Sequence, residues 1–502
     1  MNHLPLAPDL IDRALERACE LLRDAADPNI QRDHVLAMVF FKAVIGIWQD
    51  HEADCRAHYP DHPALVAELL ANARFVVPPQ ADFALLHAAR HEPGNGARID
   101  AALLALTQAD ERTLRHIFND ISFHSAPLGA PAQRNDMRAS LLEHFARPEL
   151  DLRPSRLVPG ALCQAFEALF NDVAAGNARK GIEFHTAAEL SRLMAVLTDP
   201  KPGEVVSDPV CGSASSLMHC ARHMRAQGGG DGQALCGQEI LGNTAALARM
   251  YLYLQGEDNH RIEWGDVIGN PHLVGADGSL MRFDVGVAHP PFAVEKWRND
   301  LAAADPFGRF RHGMPPRTKG DYAFIQHMIA TMKPDTGRFA IIVPHGVLFR
   351  GVAESVIRMN MVRDNLIETV IGLPEKLFFG ASISSALMIF RSRKKDDNIL
   401  FIDASRDYLE GKNQNLLREQ DIERIAATCR ERISVPRYAC LATPTQIAAN
   451  EFNLNISRYV DTSSEVEQFD LQGLRHERDE LTRSLSSLAL KMEQTLNALA
   501  HE

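Results

Sequence analysis

From about residue 161 onward, short apolar segments typical of β-strands alternate with amphipathic helical patterns. This alternation constrains the fold strongly, because strands separated by helices form mostly parallel sheets with helices on both faces. The predicted strands cover residues 204–206, 234–236, 283–288, 339–343, 369–371, 386–390 and 399–402. Sheets of this kind bind ligands at the carboxyl ends of their strands. The sequence therefore predicts an α/β fold with its functional residues at that edge.

The segments on either side of this alternation have a helical character, and 502 residues are too many for one hydrophobic core. We predict a helical domain over residues 1–160, where Leu10, Ala14, Ala18 and Leu21 recur at helical spacing. The segment HVLAMVFFKAVIGIWQD is apolar throughout, as a buried helix would be. The strand-rich part is predicted to span residues 161–440.

Residues 441–502 are predicted to be a linker followed by a helix. Apolar residues of this helix follow steps of three and four, and they are Leu474, Leu481, Leu485, Leu488, Met492 and Leu499. Such a heptad-like stripe is typical of a coiled-coil helix. It indicates either a terminal helix packed on its own chain or an arm that grips a helix of another subunit.

Charge and cysteine content limit the functional class. The net charge of −12 argues against a stand-alone DNA-binding protein, because phosphate contacts need positive charge. Two basic clusters, residues 309–319 and 391–395, could form a DNA-binding face or an ordinary solvated surface. The eight cysteines form no CxxC pair, no apolar run is long enough to span a bilayer, and no secretory signal is visible. We therefore expect a cytoplasmic protein with reduced thiols and no metal or membrane contact.

A small-residue turn follows the first predicted strand in EVVSDPVCGSASS. Asp208 ends the strand, and Gly212, Ser213 and Ala214 form a turn before a helix. Small residues allow close approach to a ligand, although a plain strand–helix connection has the same pattern. Glu239 comes just after the next strand, where a carboxylate can accept hydrogen bonds from both ribose hydroxyls or cap the following helix.

The most informative segment is RFDVGVAHPPF. Its strand ends in His289, Pro290, Pro291 and Phe292. The two prolines fix the backbone and remove its N–H donors, so carbonyl acceptors stand beside an aromatic ring. This arrangement suits an amino group on a base extruded from a duplex, whereas a Pro-Pro strand end with an incidental aromatic is the structural alternative. Asp266, in RIEWGDVIGN, follows with the spacing of a third strand end and could accept from an adenine amino group.

These segments resemble the motifs of N6-adenine DNA methyltransferases, and further segments resemble the modification subunit of type I restriction–modification systems. Upstream, GIEFHTAAEL resembles the Phe/Tyr-Thr-Pro motif of the N6-adenine methyltransferases. The segments that resemble the modification subunit are GDYAFIQHMI, GRFAIIVPHGVLFRG, LIETVIGLPEKLFFGASI and NEFNLNISRYVD. The resemblance implies a Rossmann-like sheet that binds S-adenosyl-L-methionine (AdoMet), with a helical N-terminal domain and a helical C-terminal arm. The family's AdoMet contacts map onto Phe184, His185, Thr186, Asp208, Gly212, Ser213, Ala214, Glu239 and Asp266. Its catalytic motif maps onto His289, Pro290, Pro291 and Phe292.

Several positions depart from the family's pattern. His289 stands where the family has Asn, Asp or Ser, Ala187 where it usually has Pro, and Ala214 and Ser215 where it usually has Gly. Thr186 also forms a capping-box pattern with the glutamate three residues later, which is typical of a local helix start.

The mechanism that the resemblance implies needs no covalent enzyme intermediate and no metal. The side chain of His289 and the Pro290 carbonyl would accept hydrogen bonds from the adenine N6 amino group, and Phe292 would stack on the flipped base. Neutral imidazole can replace the Asn amide if Nδ1 is the acceptor and Nε2 carries the proton.

The resemblance also implies partners: double-stranded DNA, a specificity subunit shared by two methyltransferase subunits, and a restriction or translocase subunit. Two other hypotheses stay open at this point. One is a catalytically degenerate relative that serves as a DNA-binding and assembly scaffold in a defence complex. The other is a protein-glutamine methyltransferase, which would share the Pro-Pro-aromatic motif but not the NLNIS run.

Overall fold

A computed structural model of the protein describes residues 6, 8–23, 28–73, 75–118, 121–124, 131–158, 160–162, 164–166, 186–230, 232–302, 304–378, 383–412, 414–462 and 471–499. Contacts between residues divide the chain into two compact units, Met1–Val460 and Asp461–Glu502. Within the described ranges, no helix combines the length and the apolar character needed to cross a bilayer. The domain boundaries near residues 160 and 440 stay predictions.

Helices dominate the described part of the first 160 residues, as predicted. They are α1 (Pro8–Leu21), α2 (Pro28–His58), α3 (Pro63–Ala71), α4 (Phe83–Ala88), α5 (Asn95–Ala109), α6 (Glu111–Leu114) and α7 (Pro131–Phe145). The buried residues of α1 are Ile11, Leu15 and Ala18, with Leu22 directly after it, whereas Leu10 is exposed. The stripe that contains the larger side chains faces the core because it removes more apolar surface from water.

A nine-stranded sheet lies in the first unit. Its strands are β1 (Val206–Asp208), β2 (Leu235–Glu239), β3 (His260–Trp264), β4 (Val285–Ala288), β5 (Arg338–Pro344), β6 (Ile367–Gly372), β7 (Ser385–Arg391), β8 (Ile399–Asp403) and β9 (Ala439–Ala442). Their order across the sheet is β3-β2-β1-β4-β5-β7-β6-β8-β9. The first five strands pair in parallel, and β7 runs antiparallel to β5 and β6. Each of the seven predicted strands overlaps one of these, so the α/β fold is confirmed.

Two strands were not among the predicted ones, and both lie at the edges of the sheet. In β3, Arg261 and Glu263 alternate with a single buried residue, Ile262. Strand β9 has only four residues and pairs with β8 alone. Edge strands keep one side open to water, so they lack the continuous apolar run that marks buried strands.

Helices cover the sheet on both faces and bury two cores. These helices are α8 (Ala188–Thr198), α9 (Ser215–Ala226), α10 (Gly242–Leu254), α11 (Asn299–Ala302), α12 (Asp321–Thr331), α13 (Ala353–Arg363), α14 (Glu419–Glu431) and α15 (Pro444–Ala449). Successive residues of β5 alternate between the cores, with Ala340 and Ile342 in one and Phe339 and Ile341 in the other. The first core also contains the apolar residues of α1 and α2, and Phe40 of α2 meets Tyr253 of α10 edge to face at 5.6 Å between ring centroids.

Parallel pairing places four strand ends at one edge of the sheet. In the register, Asp208 faces Gly237, Glu239 faces Trp264, and Ala288 faces Ile341. The residues that follow β1, β2, β3 and β4 therefore share the carboxyl edge, which is where the sequence places its candidate site residues.

The second unit contains helix α16 (Leu471–Leu499), which is the predicted terminal helix. Its leucine stripe is exposed to solvent on this unit, with Leu485 at 72% of its free surface. The exposed apolar residues are Leu474, Leu481, Leu485, Leu488, Leu490, Met492 and Leu496.

Candidate active site

The turn that follows β1 is hydrogen-bonded to the end of β2. Gly212 donates its backbone N–H to Glu239 Oε2 at 3.0 Å, and Leu241 donates its N–H to Oε1 at 2.9 Å. Glu239 is buried, and burial raises the pKa of its carboxyl group. Each carboxylate oxygen has two lone pairs, so each can still accept from a ligand hydroxyl. Glu239 thus holds both the Gly212 turn and the residue before α10 while keeping acceptor capacity.

Two residues of this turn adopt left-handed backbone conformations. Gly212 has φ 51° and Ala214, directly before α9, has φ 65°. Glycine adopts this conformation without steric cost, whereas the Cβ atom of alanine opposes it. The departure from glycine at position 214 therefore places a strained, fully buried residue at the start of α9.

Asp208 lies at the end of β1 and is buried. Its Oδ1 atom accepts a hydrogen bond from Val210 N–H at 3.0 Å. Burial raises the pKa of the Asp208 carboxyl to about 8; the Val210 N–H opposes this shift, and the Glu239 carboxylate adds to it. Asp208 is therefore mostly protonated at pH 7 in the protein without ligands.

Asp266 lies on the loop that follows β3, and a buried arginine holds this loop by hydrogen bonds. Asp266 Oδ1 accepts from Ile268 N–H at 2.9 Å. Arg309 donates to the carbonyl oxygens of Val267 and Ile268 at 3.0 and 2.8 Å, and it forms an ion pair with Asp305 at 2.8 Å. Arg309 is thus an internal support and not part of a DNA-binding face.

A cavity of about 400 Å³ opens between these strand ends. Its lining combines two acidic side chains, apolar residues, two cations and part of the turn 289–292, which we call the catalytic-motif turn after the family motif that it resembles. The lining residues are Pro209, Val210, Glu239, Ile240, Gly265, Asp266, Val267, Ile268, His289, Pro291, Val294, Lys296, Trp297, Arg298 and Phe324. The cavity falls within the range of small-molecule sites and brings Glu239 and Asp266 to the same space as His289.

The turn after β4 forms an aromatic cluster. The His289 ring stacks on Phe378, with centroids 4.9 Å apart and an interplanar angle of 27°, and it meets Phe292 edge to face at 5.3 Å. Phe292 and Phe378 are nearly perpendicular, at 5.8 Å. Sequence reasoning gave Phe378 no role, although it lies in the quoted segment LIETVIGLPEKLFFGASI.

Thr186 contacts the same histidine. Its Oγ1 atom lies 3.1 Å from His289 Nδ1 across 103 residues of sequence. The N-cap of α8 is Ala187, which makes no side-chain capping hydrogen bond, so Thr186 does not cap this helix. The helix-start alternative for Thr186 is therefore wrong, and this residue belongs to the site around His289.

The second basic cluster is held by ion pairs and hydrogen bonds. Arg391 pairs with Glu368 at 3.0 Å, and Lys394 donates to Asn365 Oδ1 at 2.7 Å. Because β7 is antiparallel to β5, its last residue, Arg391, lies at the edge of the sheet opposite the cavity. Residues 391–395 therefore form a solvated, paired surface away from the site.

The predicted residues separate into three groups. Glu239, Asp266, His289 and Pro291 line the cavity. A second group contacts them or lies close in the chain without lining the cavity, and it comprises Thr186, Asp208, Gly212, Ser213, Ala214, Pro290 and Phe292. Phe184 and His185 lie outside the described residues.

Two family models match the chain. The N-6 DNA Methylase model matches residues 159–468, which is more than half of the chain, and the HsdM N-terminal domain model matches residues 11–145. The first match covers the strand-rich part of the chain, and the second covers the helical part.

Individual proteins of known type are similar over most of their length. The methylase subunit of the type I restriction enzyme MjaVIII from Methanocaldococcus jannaschii is 27% identical over 489 residues, covering 95% of this chain and 82% of that protein. The methylase subunit of the type I restriction enzyme MpnII from Mycoplasma pneumoniae is 27% identical over 77% of this chain and 73% of that protein.

A solved structure supports the same conclusion. The methyltransferase subunit of a type I restriction–modification system from Streptococcus thermophilus matches with a TM-score of 0.78 and 28% identity, covering 91% of this chain and all of that chain. The chain therefore belongs to the N-6 DNA methylase family, and it is a DNA-adenine methyltransferase subunit of the type I restriction–modification kind.

Proposed function

We propose that AdoMet binds in the 400 Å³ cavity and that a flipped adenine meets it at the His289 turn. The observation that carries this proposal is the cavity itself, because one ligand can touch both the carboxylates and the catalytic motif. The residues fit the cofactor: Glu239 offers acceptors to ribose hydroxyls, while Val210, Ile240 and Phe324 offer apolar contact. AdoMet supplies an electrophilic methyl group when bound.

His289 would accept a hydrogen bond from the adenine N6 amino group, together with the Pro290 carbonyl. Because Thr186 Oγ1 contacts Nδ1, we revise the acceptor atom predicted from sequence. In the tautomer that we propose, Nδ1 carries the proton and donates to Thr186, and Nε2 presents its lone pair to the base. Phe378 holds the imidazole plane by stacking. These two hydrogen bonds orient the amino group so that the N6 lone pair points at the methyl group. Positioning and electrostatics therefore provide the catalysis.

Surface and charge support the partners that we propose. A chain with a net charge of −12 needs additional positive charge for tight binding to duplex DNA. The exposed stripe of α16 can pack against a helix of a specificity subunit, since long apolar stripes on helices are partner surfaces. We propose that two such methyltransferase subunits share one specificity subunit, and that a restriction or translocase subunit joins them.

Transfer of tritiated methyl groups from AdoMet to unmethylated duplex DNA, with the specificity subunit present, tests this function. We expect the label in N6-methyladenine after the DNA is digested to nucleosides. Label in protein, in cytosine or in no product would contradict the proposal. The family's usual Asn variant, His289→Asn, serves as a reference for full activity.

Removal of the Glu239 carboxylate should weaken AdoMet binding. We expect Glu239→Ala to cost about 1–3 kcal/mol of binding free energy, because ribose hydroxyls and the Gly212 N–H lose their acceptor. Isothermal titration calorimetry measures the change. The control is Glu263→Ala, which removes a carboxylate from neighbouring β3, where it pairs with Arg261 near the surface. Equal affinities for Glu239→Ala and wild type would show that Glu239 acts on the fold alone.

Binding of AdoMet should release a proton from Asp208. The pKa of this carboxyl is about 8 in the ligand-free fold, well above its ordinary value, so the group is mostly protonated at pH 7. A cation bound nearby favours the carboxylate and lowers this pKa, so the proton leaves and AdoMet affinity rises with pH up to about 8. The effect of Asp208 on folding stability has the opposite pH dependence. The fold favours the protonated carboxyl, so its free energy of unfolding decreases as the pH rises towards 8.

Calorimetry at pH 7 in two buffers with different ionisation enthalpies measures this release. The heat of AdoMet binding should differ between the buffers for the wild type and be the same for Asp208→Asn. A buffer-independent heat for the wild type, or an unchanged difference in Asp208→Asn, would assign the proton to another group or to none.

A further inference from the structure

Two apolar side chains project from the segment that joins β5 to α13. We call residues 349–352 the tip. Within it, Val352 exposes 92% of its surface and Phe349 exposes 47%. Strands β4 and β5 are parallel neighbours, so the tip leaves the same edge of the sheet as the catalytic-motif turn. These apolar side chains therefore lie at the edge of the sheet where the flipped adenine is proposed to bind.

The backbone of Val352 is strained. It has φ 56° and ψ −122°, a conformation that opposes any Cβ atom and most of all a β-branched side chain. Strain of this kind costs free energy, and it persists only where surrounding structure enforces it. Since the Val352 side chain is almost fully exposed, its packing within this chain does not offset the free energy of this strain.

A buried network enforces the shape of the tip and connects it to the active site. Arg350 donates to Asp321 Oδ2 at 2.7 Å and to Glu354 Oε1 at 3.1 Å. Asp321 also accepts from Ala293 N–H, the residue after Phe292, at 2.9 Å. Asp321 is therefore a single side chain that binds both the catalytic-motif turn and the tip.

Two cations, Arg317 and Lys319, come shortly before Asp321, the residue that binds Arg350 of the tip. Arg317 is exposed and Lys319 half-buried. Burial raises the pKa of Glu354, and the positive charges of Arg350 and, to a smaller extent, Lys319 oppose this rise, so Lys319 acts on the residue two positions after Val352. The segment of these two cations is fixed to the catalytic-motif turn, because Gly320 N–H donates to the Val294 carbonyl at 3.0 Å. An apolar projection flanked by cations matches a nucleic acid duplex, with bases inside and phosphates outside.

We infer that the tip enters the DNA duplex at the extruded adenine, with Val352 filling the gap left in the base stack and Arg317 and Lys319 at the flanking phosphates. This inference rests on the proposed function. Extruding a base breaks its stacking and pairing, and an apolar side chain in the vacated space recovers part of the lost stacking. A rigid, strained tip is suited to this role because it does not have to be ordered on binding.

The variant Val352→Gly tests the inference without harming the fold, because glycine adopts a positive φ without strain. The assay uses the complex with its specificity subunit and duplexes that contain the methylated site, mapped beforehand by sequencing modified DNA. One duplex is fully paired, and the other carries a mismatch opposite the target adenine, which makes extrusion easier. We expect Val352→Gly to slow methyl transfer about tenfold on the paired duplex and less than about threefold on the mismatched one.

The control Val76→Gly makes the same substitution at another exposed loop position, 42% exposed in the helical part, and should match the wild type. AdoMet affinity should be the same in all three proteins. Equal rates for Val352→Gly and wild type on the paired duplex would overturn the inference, as would an equal loss on both duplexes. A wild-type complex that transfers no methyl group to either duplex would refute the proposed function itself.

Discussion

We expect the His289→Ala protein to bind AdoMet with wild-type affinity and to methylate DNA about 10²–10³-fold more slowly. The imidazole is expected to act on the adenine and not on the cofactor, so its removal takes away an acceptor from the transition state and leaves ground-state cofactor binding intact. Calorimetry with AdoMet and tritiated-methyl transfer to DNA measure the two effects separately. A His289→Ala protein that is as fast as the wild type would show that position 289 does not take part in catalysis.

The pH dependence of transfer gives a second test of the same residue. Protonated imidazole has no acceptor, so transfer should fall as the pH is lowered through the range in which histidine titrates. His289→Asn should remove this dependence, because an amide stays neutral. If the wild type is inactive at every pH and His289→Asn restores transfer, the chain is a scaffold whose catalytic motif has degenerated. An unchanged pH profile in His289→Asn would assign the titration to another group.

We expect deletion of residues 471–502 to abolish assembly with the specificity subunit. The deleted segment contains α16, whose stripe includes Leu481, Leu485 and Leu488, all exposed on their own unit. Burial of several leucines contributes about 1.5–3 kcal/mol each, which is enough to account for a stable interface. Co-purification of the two subunits measures assembly, and calorimetry checks that AdoMet binding persists.

A point variant separates the stripe from the length of the helix. Leu485→Glu keeps the helix but places a charge within the apolar stripe, whereas Arg483→Glu changes a polar position on the same helix. We expect the first to weaken co-purification and the second to leave it unchanged. A truncated chain that still co-purifies with its partner would place the interface elsewhere.

The positions of Glu239 and Asp266 could be predicted because they depend on local signals. Glu239 ends β2 and Asp266 follows β3, and the parallel register brings these strand ends to one edge. The sequence could not show that Glu239 accepts from Gly212 as well as offering acceptors to a ligand, because this bond joins residues 27 positions apart.

Contacts across the sheet edge could not be predicted. Thr186 matched a local capping pattern, yet its side chain contacts His289, and helix α8 starts one residue later than that pattern implies. Phe378 stacks on the same ring from a segment after β6. Arg309 looked like a surface cation, but burial depends on three-dimensional packing, and its guanidinium supports the Asp266 loop from inside.

The first helices and the sheet share one hydrophobic core, and this limits which parts of such chains can be exchanged by recombination. Residues of α2 such as Phe40 pack directly on α10, and both belong to the core that covers one face of the sheet. An exchange of the first 160 residues with a diverged relative would place unmatched side chains in that core and leave cavities or overlaps. We therefore expect the helical part and the methyltransferase sheet to be inherited together, with variation between systems concentrated in the subunits that they meet.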